Sequence, residues 1–353
     1  MNLKNIFAIT SLACTSTLAF GSDIAESAPN CSTAQLVVPW SKGGETDIVF
    51  RTFSDSINST GIKPQLEVIN IVGQGSVVGT TQVKNAKPDG CTLIAIHENI
   101  ITSDLAGRAD FSYEAFAPIA LVSYTPSIIG ASPKAPFKSL KEMIDLAKQK
   151  PESITVGITR GSRSHFFFLL VEDAADVKFR YVEFEGSNLR NTALLDNKIM
   201  LGETHLITTM KSIQDGSLMA LGIATGARDA LVKYVPTLIE QGMNIIYGSP
   251  KGVAAPKGTS VNVIEFWQNA FAKAAKDPLL VKALEEKGSV VLSKGSVEYT
   301  VFLKDSFEKH KTIAIQTDMF KKKIALGLNM VFGGFASRLQ ISWTCGFKCQ
   351  VQY

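Results

Sequence analysis

Two periodicities alternate along this chain. Short apolar runs of strand length are followed by stretches with apolar positions three and four apart, and glycine-rich loops separate them. Gln35 to Pro39 (QLVVP) is the first run, and Asp47 to Ile57 follows as an amphipathic helix with Thr46 or Asp47 as N-cap. Gln65 to Val72 is a second strand, Val77 to Asn85 a second helix, and Thr92 to Ile96 a third strand behind the turn Pro88-Asp89-Gly90. That order, βαβαβ, predicts a parallel sheet covered by helices.

The middle of the chain repeats the alternation. Strands are predicted at Ile119 to Ser123, Ser127 to Ala131, Thr155 to Ile158, Phe179 to Phe184, Ile199 to Leu201 and Met219 to Thr225. Helices fall between them at Ser139 to Gln149, with a capping box of Ser139 and Glu142, at His165 to Ala174 and at Leu189 to Leu195. The last third predicts helices over Val235 to Gln241, Val261 to Ala275, Pro278 to Lys287 and Val297 to Thr317, with a strand at Val253 to Ala255. The chain is α/β, and 353 residues suit about two domains.

The termini differ from this pattern. Lys4, an apolar stretch from Ile6 to Phe20 and the small residues Ala19 and Gly21 read as an export signal over residues 1–21, cleaved after Gly21. A periplasmic location follows, and in an oxidising compartment Cys31 and Cys91 fit either a disulfide between neighbouring strands or two buried thiols. Residues 321–353 carry Lys321-Lys322-Lys323, an apolar run from Ile324 to Phe335, Trp343, Cys345 and Cys349, and have no assigned structure. Net charge is only +4, and no basic stripe interleaved with aromatics appears, so a small anion suits the chain better than nucleic acid.

Candidate chemistry lies in the loops. The first, Trp40 to Thr46, puts Ser41, Lys42, Gly43 and Gly44 between a strand and a helix that opens with Thr46 and Asp47, a setting in which backbone N–H groups receive a carboxylate. The third, TRGSRSH, gathers Arg160, Gly161, Ser162, Arg163 and His165, and arginine matches carboxylate geometry with paired hydrogen bonds. Between them, GQGSVVG follows a strand, and Glu98 stands 19 residues beyond Gly79, a near match to a dinucleotide-binding loop. Export argues against that NAD(P) enzyme reading. The four histidines form no H-x-x-x-H pair, and neither a G-x-S-x-G elbow nor a Walker A loop is present, so no catalytic residue, metal or cofactor is assigned.

Eight segments in order carry a resemblance to a known family: VVPWSKGGETDIVFR, VINIVGQGSVVGTTQVKNAKPDGCTLI, SPKAPFKSLKEMIDLAKQKPESITVGI, RGSRSH, FEGSNLRNTALLDNKI, QDGSLMALGIAT, YVPTLIEQG and GVAAPKGT. From about Leu36 to about Ala314 the chain resembles the Bug/TctC proteins, extracytoplasmic receptors of tripartite tricarboxylate transporters. The resemblance implies a two-lobed type II periplasmic-binding fold with a hinge of crossing strands, and no enzyme activity. Lobe 1 is expected over 34–122 and 227–320, lobe 2 over 123–226, and the hinge near Leu121–Ser123 and Ala224–Gly226. It adds His97, Asn99, Gly186, Ser187 and His205 to the ligand contacts, and makes GQGSVVG a structural turn. The implied partners are a small carboxylate and membrane transporter subunits, with the receptor a monomer. A sensory receptor feeding a signalling partner is the alternative output. Three positions depart from the family: Glu45 replaces a small residue, Thr159 a frequent glycine and Glu185 a lysine. A mono-acid, an aromatic acid or an amino-bearing ligand therefore suits the chain as well as a dicarboxylate.

Overall fold

A computed structural model describes residues 28–317. The expected export signal and the 321–353 tail lie outside them. In chain order the elements are β1 (Thr33–Val38), α1 (Glu45–Ser59), β2 (Gln65–Asn70), α2 (Val77–Lys84), β3 (Thr92–Ile96), α3 (Asn99–Leu105), β4 (Phe116–Pro126), β5 (Ile128–Ala131), α4 (Leu140–Gln149), β6 (Thr155–Ile158), α5 (Arg163–Ala175), β7 (Arg180–Glu183), α6 (Ser187–Leu195), β8 (Leu201–Thr204), α7 (Leu206–Gln214), β9 (Met219–Ile223), β10 (Gly248–Pro256), α8 (Val261–Ala274), α9 (Pro278–Glu285), β11 (Val290–Lys294) and α10 (Ser296–Gln316).

Two mixed sheets form two lobes. The first has the order β11-β4-β10-β3-β1-β2, the second β7-β6-β8-β5-β9. β1 pairs in parallel with both β2 and β3, as the βαβαβ order requires, whereas β10 pairs antiparallel with β3 and β4. β3 and the end of β1, Leu36 to Val38, are covered on both faces, which is why they read as unbroken apolar runs, whereas Thr33 and Gln35 of β1 are exposed. Val49, Phe50, Phe53 and Ile57 of α1 meet Trp267 and Phe271 of α8 in the first core. α5 is buried nearly all round, its Phe166, Phe167 and Phe168 joining Ile129, Val156 and Leu201 in the second.

The chain passes from the first sheet to the second between Pro126 and Ile128 and returns between Tyr247 and Gly248. There Ser127, Ala224 and Tyr247 are tied together: Ser127 N donates to Tyr247 O (3.1 Å), Tyr247 N to Ala224 O (3.0 Å) and Ala224 N to Ser127 O (2.8 Å). Both crossings lie later than expected, because Tyr124–Pro126 continue the ladder with Gly248–Pro250, and Leu238, Met243 and Ile245 pack into the second core. α10 spans the junction, with Tyr299 and Leu303 against the first lobe and Ala314 against the second.

Some elements differ from the sequence pattern. Val235 to Gln241 forms turns with a bridge between Ile223 and Thr237, not a helix. α1 starts earlier than expected because Gly44, in extended conformation, is its N-cap; Asp47 reaches back to accept from Gly43 N (2.9 Å). Ser139 caps α4 as expected, but Glu142 accepts from Lys138 N, one residue outside the box. Cys31 and Cys91 form a disulfide that joins the approaches to β1 and β3.

Candidate functional site

Helix N-termini from both lobes converge on one cleft. α1 approaches from the first lobe, and α5 and α6 from the second, each with first-turn N–H groups that its own helix does not use. Trp40, Ser41, Gly44, Glu45, Thr46 and His97 line one side; Thr159, Ser162, Arg163, Ser164, Gly186, Ser187, Arg190 and Glu203 line the other. The space left between them is narrow, about 40 Å³, well below the usual range for small-molecule sites, because the two sides stand close together.

The lobes touch across this cleft. Gly75 N donates to Glu185 Oε2 (3.0 Å), Asn188 Nδ2 to Lys42 O (3.0 Å) and Arg108 Nη1 to Arg160 O (2.9 Å). Close approach explains one glycine: Gly161 has φ +67°, and a Cβ there would stand 2.8 Å from Ala106 Cβ and Arg108 Cδ.

Beneath the cleft lies a buried ionic cluster. Glu45 Oε1 is 2.6 Å from Lys251 Nζ, and its Oε2 is 3.5 Å from both Arg163 Nη2 and His205 Nδ1. Arg163 Nη1 pairs with Glu203 Oε1, which also accepts from Ser127 Oγ; Glu203 Oε2 is 3.8 Å from Arg190 Nη2. Lys251 also donates to Thr125 Oγ1 (3.0 Å) and Ser249 O (3.2 Å).

Burial raises the carboxyl pKa of Glu45, but His205, Lys251 and Arg163 outweigh it and hold the group far below the ordinary carboxylate range. His205 itself is lowered to about 4 by burial, so at neutral pH Lys251 and Arg163 do this work. Burial opposes ionisation of Glu203 too, and Arg163, His205 and Arg190 overcome it. Burial brings Arg190 down to about 10. Glu98 goes the other way: burial pushes it up to about 8, against the pull of Arg163. His97, stacked on Trp40 at 5.4 Å and 11°, is kept neutral by burial and by Arg163.

Of the residues expected from sequence, Ser41, Gly44, Thr46, His97, Ser162, Arg163, Gly186 and Ser187 line the cleft. Others do not. Arg160 is exposed and pairs with Glu183. Asp47 is spent on Arg51, Asn70 and Gly43 N, and Gly43 and Lys42 act through their backbones. Asn99 bonds to Ser76, and His165 Nδ1 accepts from Gly161 N while its ring abuts Tyr181. His205 lies behind the lining, between Glu45 and Glu203. Glu185 bonds across the lobe gap rather than facing into the cleft. The near-dinucleotide loop uses Gly75 N in that bond, and Glu98 is buried at the start of α3 with no access to a ribose.

Sequence reasoning missed Trp40, Ser164, Arg190, Glu203 and Lys251, and met Glu45 and Thr159 only as family departures. Glu203 and Lys251 carried no local signal, because the burial of their strands shows only in the fold. Each is a charged residue inside a strand whose every position is buried, and a charge there needs a partner.

Comparison with known proteins gives one family. The profile described as tripartite tricarboxylate transporter family receptor, TctC, matches residues 49–319. Protein BugT of Bordetella pertussis is 24% identical over 289 residues, covering 80% of this chain and 88% of BugT. Among solved structures, MatC from Rhodopseudomonas palustris with bound malate aligns with TM-score 0.75 and 26% identity, over 80% of this chain and 98% of MatC. The periplasmic binding protein BugD aligns with TM-score 0.77 and 25% identity, over 82% of this chain and 98% of BugD.

Proposed function

The chain belongs to the tripartite tricarboxylate transporter receptor family, and from that premise we propose that it captures a small organic acid in the periplasm by closing its two lobes. The captured acid is then handed intact to membrane transporter subunits. The observation that carries this reading is Arg163, a buried guanidinium at the N-terminus of α5 that lines the cleft and reaches carboxylates from both lobes. Donors fixed in a water-poor cleft bind an anion more strongly than they would in water. MatC, a relative of the same fold, carries malate.

The ligand contacts we assign are the first-turn amides of α1, α5 and α6, the hydroxyls of Ser41, Thr46, Ser162 and Ser187, and Arg163. A thermal-shift screen of the purified protein over organic acids tests the assignment. At a concentration 100 times its Kd, a ligand that binds only the folded state adds about 2.7 kcal/mol of stability. At least one acid should raise Tm and be recovered unchanged. No response from any acid would overturn the reading, as would turnover of the acid. Arg163→Met should abolish the response to an acid that the native protein binds.

A further inference from the structure

We propose that the cleft is built for a single carboxylate: Glu45 and Glu203 offset two of its three positive charges from within the protein, so the preferred ligand is a small monocarboxylate rather than a dicarboxylate or an amino acid. The inference rests on the receptor reading above and sharpens its ligand.

The charge balance of the buried cluster carries it. Arg163, Arg190 and Lys251 bring three positive charges, and Glu45 and Glu203 bring two negative ones. Glu98 has no ion pair among the described residues and its Oε2 has no hydrogen-bond partner, so it is protonated and adds nothing. His97 and His205 are neutral. One positive charge is left over. A monoanion cancels it, whereas a dianion leaves a buried negative charge without a partner.

The free groups agree with that count. Arg163 Nε and Trp40 Nε1 are buried without a hydrogen-bond partner, and both residues line the cleft. These atoms only donate, and an ionised carboxylate only accepts. A second carboxylate would instead meet Glu203 Oε2, a cleft-lining acceptor that also lacks a hydrogen-bond partner and suits a ligand hydroxyl.

An amino group finds no free counter-ion in Glu45, and the charge of Glu203 is already shared between Arg163 and Arg190. Both oxygens of Glu45 are engaged, one by Lys251 and the other by Arg163 and His205. The departure at position 45 thus admits a mono-acid and excludes the ammonium-bearing ligand.

Titration calorimetry with acids matched in carbon skeleton tests this: butyrate against succinate, 3-hydroxybutyrate against malate and aspartate, and 4-methylbenzoate against terephthalate. In any set that binds, the monocarboxylate should bind at least tenfold more tightly than its dicarboxylate or amino counterpart. Glu45→Gln adds one net positive charge at unchanged shape and should improve the dicarboxylate at least tenfold relative to the monocarboxylate. A native protein that binds the dicarboxylate or aspartate as tightly as the monocarboxylate overturns the inference and leaves the receptor reading standing. An unchanged ratio in a folded Glu45→Gln protein overturns it as well. If that variant does not fold, the native ratios decide. Failure of every acid removes the receptor reading and the inference together.

Discussion

Glu45 and Glu98 are buried carboxyls of the same lobe with opposite ionisation, and the difference lies in what faces each. Glu45 meets Lys251 and Arg163, while Glu98 has burial without an ion pair. Raised to about 8, Glu98 keeps its proton in the folded state through a range where the unfolded chain has lost it. Its contribution to stability is therefore complete below the unfolded pKa near 4.5 and falls as pH climbs toward 8. By pH 7 the loss amounts to roughly 3 kcal/mol at 1.36 kcal/mol per unit. Glu98→Gln cannot lose a proton, so its stability relative to the native protein should rise steadily between pH 5 and 8 in urea unfolding. Taking the difference between the two proteins removes the contribution of the buried histidines at 165, 205 and 310, each lowered to about 4. Parallel curves across that range would show that Glu98 is ionised in the fold.

At the scale of elements, legibility followed local chemistry. β3 and β6 stand where their apolar runs put them, and Ser139 caps α4 as its spacing indicates. α7 was missed because Leu206 to Gln214 follows β8 without a loop of turn residues, His205 itself being the N-cap. β10 appeared as three residues because Pro250 and Lys251 interrupt its apolar pattern, yet the pairing with β4 runs from Gly248 to Pro256. The cleft was half legible: its glycine loops announce themselves locally, whereas Glu203 and Lys251 gain meaning only when distant strands bring them to Arg163 and Glu45. The disulfide belongs to this scale as well. Cys31 and Cys91 precede two adjacent parallel strands and close a loop with a sequence separation of 60. Restricting the unfolded chain over that span is worth about 4 kcal/mol in the loop-entropy account. Denaturant unfolding of a Cys31→Ala/Cys91→Ala protein should show a loss of that size, and added reductant should produce the same loss in the native chain. A difference under about 1 kcal/mol would mean that the bridge does little to constrain the unfolded ensemble.

For the whole molecule, the groups that close the cleft are distinct from those that would hold an acid. Glu185 on the second lobe accepts from Gly75 N on the first, Asn188 donates to Lys42 O, and Arg108 donates to Arg160 O. None of these side chains lines the cleft. On the proposed reading they act on the balance between open and closed lobes, and a ligand that binds only the closed form has its apparent affinity scaled by the closed fraction. The hinge permits such a balance, since among the described residues only the strand crossings near Ser127 and Tyr247 and the span of α10 link the lobes covalently. Glu185→Ala removes one interlobe hydrogen bond worth about 1 kcal/mol. Where open and closed forms are equally populated without ligand, that loss weakens the affinity for an acid about threefold, with the fall appearing as faster release. Small-angle scattering should show the unliganded variant more extended than the native protein, and saturating acid should bring both to the same radius. If affinity fell while the unliganded radius stayed at the native value, Glu185 would belong to the binding surface itself rather than to the latch between lobes.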